Sequence, residues 1–66
     1  MQILLNGQEK IITPPCSIQE LISQLDLQNR RIAVEVNLTL IPRSCFAEHF
    51  LADDDKVEIV HAIGGG

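Results

Sequence analysis

The dipeptide Asn6-Gly7, set between the apolar runs Ile3-Leu4-Leu5 and Ile11-Ile12, constrains the fold of this chain more than any other feature. A two-residue type I′ connection requires φ > 0 at both central positions, which Asn and Gly tolerate better than other residues, so a tight β-hairpin is predicted here. The turn also sets the register, with Leu5 opposite Gln8, Ile3 opposite Lys10 and Met1 opposite Ile12. One face then gathers Met1, Ile3, Leu5 and Ile12, with the Lys10 stem along its margin. Leu4 and Ile11 fall on the other face among Gln2 and Glu9. The first face is the better core.

Pro14-Pro15 ends the second strand, because neither residue can donate to a ladder. Ser17-Ile-Gln-Glu20 reads as a capping box, with Ser17 as N-cap and Glu20 at N3. Ile18, Leu21, Ile22 and Leu25 follow at i, i+3, i+4 and i+7, the apolar stripe of an amphipathic helix expected to stop near Leu27. Ile32, Val34 and Val36 alternate as a strand that Asn37 breaks. Leu40-Ile41 before Pro42 reads as a short edge strand. Ser44 is expected to cap a single helical turn bearing Phe46 and Phe50. Asp53-Asp54-Asp55 reads as a solvated acidic turn, and Lys56–His61 as the final strand with Val57 and Ile59 facing inward. The remaining Ala62-Ile63-Gly64-Gly65-Gly66 is expected to form a flexible tail, leaving residues 1–61 as one domain.

This order, ββαββ with one short strand, predicts an α+β layer in which the main helix crosses one face of a mixed sheet. It is the order of the ubiquitin-like β-grasp fold, whose first and last strands are parallel neighbours. The core must be aliphatic, since the 66 residues include two Phe and no Trp or Tyr. No apolar run approaches the roughly 20 residues of a membrane span, and no secretory signal is expected. A net charge of −4 without a basic stripe argues against nucleic acid and favours partners with a positive face. Two cysteines, Cys16 and Cys45, are too few for a disulfide framework, which points to a reducing cytoplasmic compartment.

Three successive glycines raise the entropy cost of ordering a chain end and add nothing to a core. They do supply a side-chain-free strand ending in a carboxylate, able to thread a narrow channel in another protein. A free carboxylate is a poor acyl donor, so acyl chemistry at Gly66 requires activation, most simply as an adenylate.

The sequence resembles the ThiS family, the sulfur carrier proteins of bacterial thiamine biosynthesis. The likeness runs from Met1-Gln-Ile-Leu-Leu-Asn6 through Glu20-Leu-Ile-Ser-Gln-Leu25 and Val34-Glu-Val-Asn37. It continues into Ile41-Pro-Arg43, Phe46 and Lys56-Val-Glu-Ile-Val-His-Ala-Ile-Gly-Gly-Gly66. The resemblance implies that an E1-like adenylyltransferase of the ThiF type adenylates Gly66 with MgATP. Sulfur from a cysteine desulfurase or sulfurtransferase system then converts it to a thiocarboxylate, and a thiazole synthase of the ThiG type receives that sulfur. Gly64 and Gly65 match the arm that reaches into both partners. The chain would be a protein co-substrate with no bound cofactor, a monomer when free. It departs from the family at Asp54, where Gly is common; Asp tolerates the left-handed conformation that such a turn needs. The alternatives are a MoaD-like carrier of molybdopterin synthase, a ubiquitin-like protein modifier, and a plain interaction module.

Other features offer rival sites. Cys16 precedes the helix N-cap, where a thiolate can be favoured, although no second thiol is near it in sequence. Cys45, His49 and His61 do not make a zinc pattern, and the three aspartates lack the other ligands of a calcium loop. On the outer sheet face, Leu4, Ile11 and Val60, with Ile63, form a candidate docking patch for the activating enzyme, rimmed by Glu58 and Arg43.

Overall fold

A computed structural model describes residues 1–61 of the chain. Strands β1 (Gln2–Leu5) and β2 (Gln8–Ile11) form the expected hairpin, with Leu5 opposite Gln8 and Ile3 opposite Lys10. Asn6 and Gly7 both take positive φ, 51° and 81°, as a type I′ turn demands. Met1 continues the ladder, its carbonyl accepting from the Ile12 N–H at 2.8 Å. Ile3 and Ile12 are buried and Met1 and Leu5 pack against the core, so the inward face is the one that the alternation picks out.

Helix α1 (Ile18–Gln24) begins with a complete capping box. The Ser17 Oγ accepts from the Glu20 N–H at 3.1 Å, and the Glu20 carboxylate accepts from the Ser17 N–H at 3.3 Å. The two earlier helical donors are also satisfied: Ile18 N–H bonds the His49 carbonyl and Gln19 N–H the Phe46 carbonyl, each at 3.0 Å. The helix start is thereby stitched to the crossover that leads into the last strand.

The helix stops earlier than its apolar spacing suggests. Asp26 takes φ 60°, its N–H bonds the Ser23 carbonyl, and the Leu27 N–H reaches back to the Ile22 carbonyl at 2.9 Å. This is a Schellman closure with Asp where Gly is usual. Leu27 still packs against the core, but as the hydrophobic contact of the cap.

Strands β3 (Ile32–Val36), β4 (Thr39–Ile41) and β5 (Lys56–His61) complete a five-stranded sheet of order β2-β1-β5-β3-β4. β5 runs parallel to β1 and antiparallel to β3, and β4 lies at the edge, where the following Pro42 is harmless. The β3–β4 connection is a second two-residue turn with both residues at positive φ, Asn37 at 51° and Leu38 at 70°. Asn37 ends β3 as expected; the turn itself gave no Gly signal.

Ser44 does not cap a helix. Arg43–Cys45 form a single 3-10 turn whose N-cap is Pro42, with no side-chain cap. Phe46 is buried, whereas Phe50 has left the turn and lies exposed beside Ser17 in an isolated bridge. Pairing with the Ser17 backbone sets the course of this segment, so the one-turn spacing of the two rings carries no shared face.

The core joins Ile18, Leu21 and Ile22 of α1 to Ile3, Val34, Val36, Ile41, Val57 and Ile59 of the sheet, closed by Ile12, Cys16, Phe46 and Leu51. Each such aliphatic side chain contributes about 1.5–3 kcal/mol by leaving water. No helix among the described residues is long and apolar enough to cross a membrane.

Candidate functional site

Strand β5 leads into residues 62–66, so the way it is held defines how that segment is presented. The β1 side of β5 is paired by Leu4 N–H to the Asp55 carbonyl and Asn6 N–H to the Val57 carbonyl, both at 2.9 Å. β1 then turns away. The Ile59 N–H and carbonyl, two residues on and facing the same side, are taken by the Asn6 carboxamide. Its Oδ1 accepts from the Ile59 N–H at 2.8 Å and its Nδ2 donates to the Ile59 carbonyl at 3.3 Å. At the other end of β5, Asn37 does the same for Lys56: its Oδ1 accepts from the Lys56 N–H at 3.0 Å and its backbone N–H donates to the Lys56 carbonyl at 2.8 Å. Two asparagines at the same φ, each opening a type I′ turn, thus grip the same strand from opposite sides.

The acidic turn is built into this frame. Asp54 takes φ 69°, the left-handed conformation that the resemblance implies at a position where Gly is common. The Asp53 carboxylate accepts from the Gln2 N–H, and the Asp55 carboxylate from the Ala52 N–H and the Asn37 side chain, at 2.8–2.9 Å. The Asp53 carboxylate therefore ties the turn to β1, while the Asp55 carboxylate closes the turn on itself and holds the Asn37 side chain. Among the described residues no three His, Cys, Asp or Glu side chains converge as metal ligands.

Leu4, Ile11 and Val60 lie on the outer face of the sheet, away from α1, but the register divides them. Leu4 sits beside Lys56 and opposite Glu9, and Ile11 opposite Gln2. Val60 lies four residues beyond Lys56, about 13 Å along the strand, opposite Ala33 of β3. The charged positions Lys56 and Glu58 stand between the two apolar spots, so the outer face carries two patches where clustering had been expected. Ile11 and Val60 are well exposed, at 72% and 57%, and Leu40 of β4 adds a further exposed apolar residue.

Arg43 is engaged within its own chain. Its Nη2 donates to the Arg30 carbonyl at 2.8 Å, and its guanidinium lies 5.6 Å from the centre of the Phe46 ring. Sequence reasoning assigned it to a rim; its first role here is to tie the 3-10 turn to the loop after α1. Ile63, Gly64, Gly65 and Gly66 lie outside the described residues, as does the tail expected over 62–66.

The two thiols differ. Cys45 is exposed, whereas Cys16 is 1% exposed, its Sγ donating to the Ser17 carbonyl. Burial, reinforced by the nearby Glu20 carboxylate and only partly offset by Lys10, pushes the Cys16 thiol above its ordinary value. A helix N-terminus does not make a thiolate here, because desolvation outweighs it.

The described residues therefore define a β-grasp domain whose last, centrally placed strand delivers a glycine-ended segment. The crystal structure of the thiamine biosynthesis protein ThiS from Geobacter metallireducens superposes with a TM-score of 0.87 at 29% identity, covering both chains completely. The sulfur carrier protein ThiS of Escherichia coli is 33% identical over the whole of both chains. A thiazole synthase of Paramagnetospirillum magneticum is 38% identical over all 66 residues, and there the chain spans only 20% of the relative's length. The ThiS family model matches residues 3–66. The chain belongs to the ThiS family, the sulfur carriers of thiamine biosynthesis.

Proposed function

We propose that the chain carries sulfur for thiazole formation as a thiocarboxylate on Gly66, acting as a co-substrate of partner enzymes. The Gly66 carboxylate attacks the α-phosphorus of MgATP in an E1-like, ThiF-type enzyme, and pyrophosphate leaves. A persulfide sulfur supplied by a sulfurtransferase or cysteine desulfurase system displaces AMP, and a thiol reductant releases the thiocarboxylate. A ThiG-type thiazole synthase then takes the sulfur. Residues 62–66 serve as the arm and residues 1–61 as the handle, monomeric when free and working in the cytoplasm.

One observation carries this reading: the family match extends through Gly64-Gly65-Gly66, the residues that the chemistry needs. The thiazole synthase relative supports a partner of that class, since it carries a matching stretch within its own chain. Docking on the activating enzyme would centre on the arm end of the outer face, through Val60 and Ile63 with Glu58 at the rim.

Intact mass spectrometry after incubation with ATP, the adenylating partner and a sulfur source tests the proposal. The expected product has one terminal oxygen replaced by sulfur, and deletion of Gly66 abolishes it. No mass change in the wild-type chain overturns the reading. A gene disruption that creates a molybdopterin requirement, with no thiazole requirement, would reassign the carrier.

A further inference from the structure

The Asn6 carboxamide is the last attachment on the β1 side of β5 among the described residues. Beyond Leu5 the chain has turned into the hairpin, so no backbone remains to pair with Ile59. On the β3 side the ladder continues through Val34 opposite Ile59 to Ile32 opposite His61. A strand end paired on one side only can twist and peel about that single ladder. The Asn6 side chain supplies the missing pair, one acceptor and one donor, in the geometry of a further residue of β1.

We infer that Asn6 is a positioning residue for the carrier reaction: by clamping Ile59 it fixes the point and direction at which β5 hands over to the reacting arm. The inference rests on the carrier reading proposed above. From Ile59 to Gly66 is seven residues, a reach of up to about 23 Å of extended chain, so the point and direction at which β5 ends set the region that the terminal carboxylate can sample. The clamp holds the main chain of Ile59, whereas the proposed docking contacts Glu58 and Val60 are side chains of the outer face, on residues that β3 also pairs. Loss of the clamp therefore lowers the fraction of docked complexes in which the carboxylate meets the nucleotide, and leaves docking unchanged.

Asn37 provides the control. It grips the same strand at Lys56, three residues and about 10 Å before Ile59, with a similar set of hydrogen bonds and the same φ. Asn6→Gly and Asn37→Gly both keep a turn residue that accepts positive φ, and each removes one clamp. A purely structural role predicts the same behaviour for the two variants.

The test measures ATP–pyrophosphate exchange by the adenylating partner against concentration of the full carrier chain, with amide hydrogen exchange on the same samples. For Asn6→Gly the expected result is a kcat about tenfold lower with KM within about twofold, and faster exchange at Ile59. Asn37→Gly should keep the wild-type kcat while exchange quickens at Lys56. Asn6→Asp, which retains the acceptor for the Ile59 N–H, should recover part of the kcat. Equal kcat losses in the two glycine variants, or a wild-type kcat in Asn6→Gly despite a deprotected Ile59 amide, overturn the inference while leaving the carrier reading intact. Absence of exchange with the wild-type chain overturns both.

Discussion

Glu35 and Glu58 stand directly opposite one another across β3 and β5, on the solvent face of the sheet. Like charges in that relationship oppose pairing, and an opposite charge there favours it. Glu58→Lys should raise stability by about 0.5 kcal/mol and Tm by about 2–4 °C, less so in molar salt. Because Glu58 is also proposed to meet the activating enzyme, the same variant should be adenylated more slowly. Thermal melts and exchange rates on one preparation check both effects; a higher Tm with unchanged adenylation removes Glu58 from the docking surface.

The two apolar spots of the outer face should behave differently. Val60 lies at the end of β5 that leads to the arm, and Ile11 at the far end of the hairpin. Val60→Ser is expected to raise the KM of adenylation severalfold, with Ile11→Ser near wild type and both proteins folded by circular dichroism. Equal effects would extend the contact across the whole face.

Leu38 occupies φ 70° at the second position of a type I′ turn and is 87% exposed. A side chain there carries about 1–2 kcal/mol of left-handed strain, of which glycine's greater freedom in the unfolded chain offsets part. Leu38→Gly should raise the urea midpoint with an unchanged m-value, a net gain of about 0.5–1 kcal/mol. A lower midpoint would show that Leu38 makes contacts that outweigh its strain.

Ser17 is buried, and its hydroxyl caps α1 where the 46–51 crossover also pairs. Ser17→Ala should cost about 1–2 kcal/mol, read as a lower denaturation midpoint. Ser17→Asp, which can still cap, should recover part of that loss.

Cys16 titrates higher in the folded state than its ordinary 9.0, so the folded protein binds more protons than the unfolded one at alkaline pH. The stability linked to this thiol is fully present below pH 9.0 and is lost as pH rises from there through the folded value. Cys16→Ala should flatten that alkaline fall. In the native protein an alkylating reagent should modify Cys45 quickly and Cys16 only on unfolding; equal rates would contradict the burial of Cys16.

Where local chemistry decides the conformation, the sequence is readable. Asn6-Gly7 declares its turn, and Ser17 and Glu20 declare their cap, whereas the left-handed Asp54 is expected only from the family's usual Gly at that position. Asn37-Leu38 and Asp26 make turns of the same kind without glycine, so their geometry is hidden behind ordinary residue types. Phe46 and Phe50 mislead for a related reason: their spacing suggests one helical turn, yet pairing of Phe50 with Ser17 determines where the second ring goes.

The sequence by itself determined the inward faces, the hairpin register, the start of the helix and the family to which the chain belongs. Those follow from side-chain periodicity, φ preference and residue identity, all local properties. The tertiary structure alone decided what Asn6 and Asn37 do with their side chains, and how far apart Ile11 and Val60 lie. Ile59 is 53 residues from Asn6 in the chain. Only the parallel pairing of β1 with β5 brings its N–H and carbonyl to the carboxamide, and no local preference encodes that meeting.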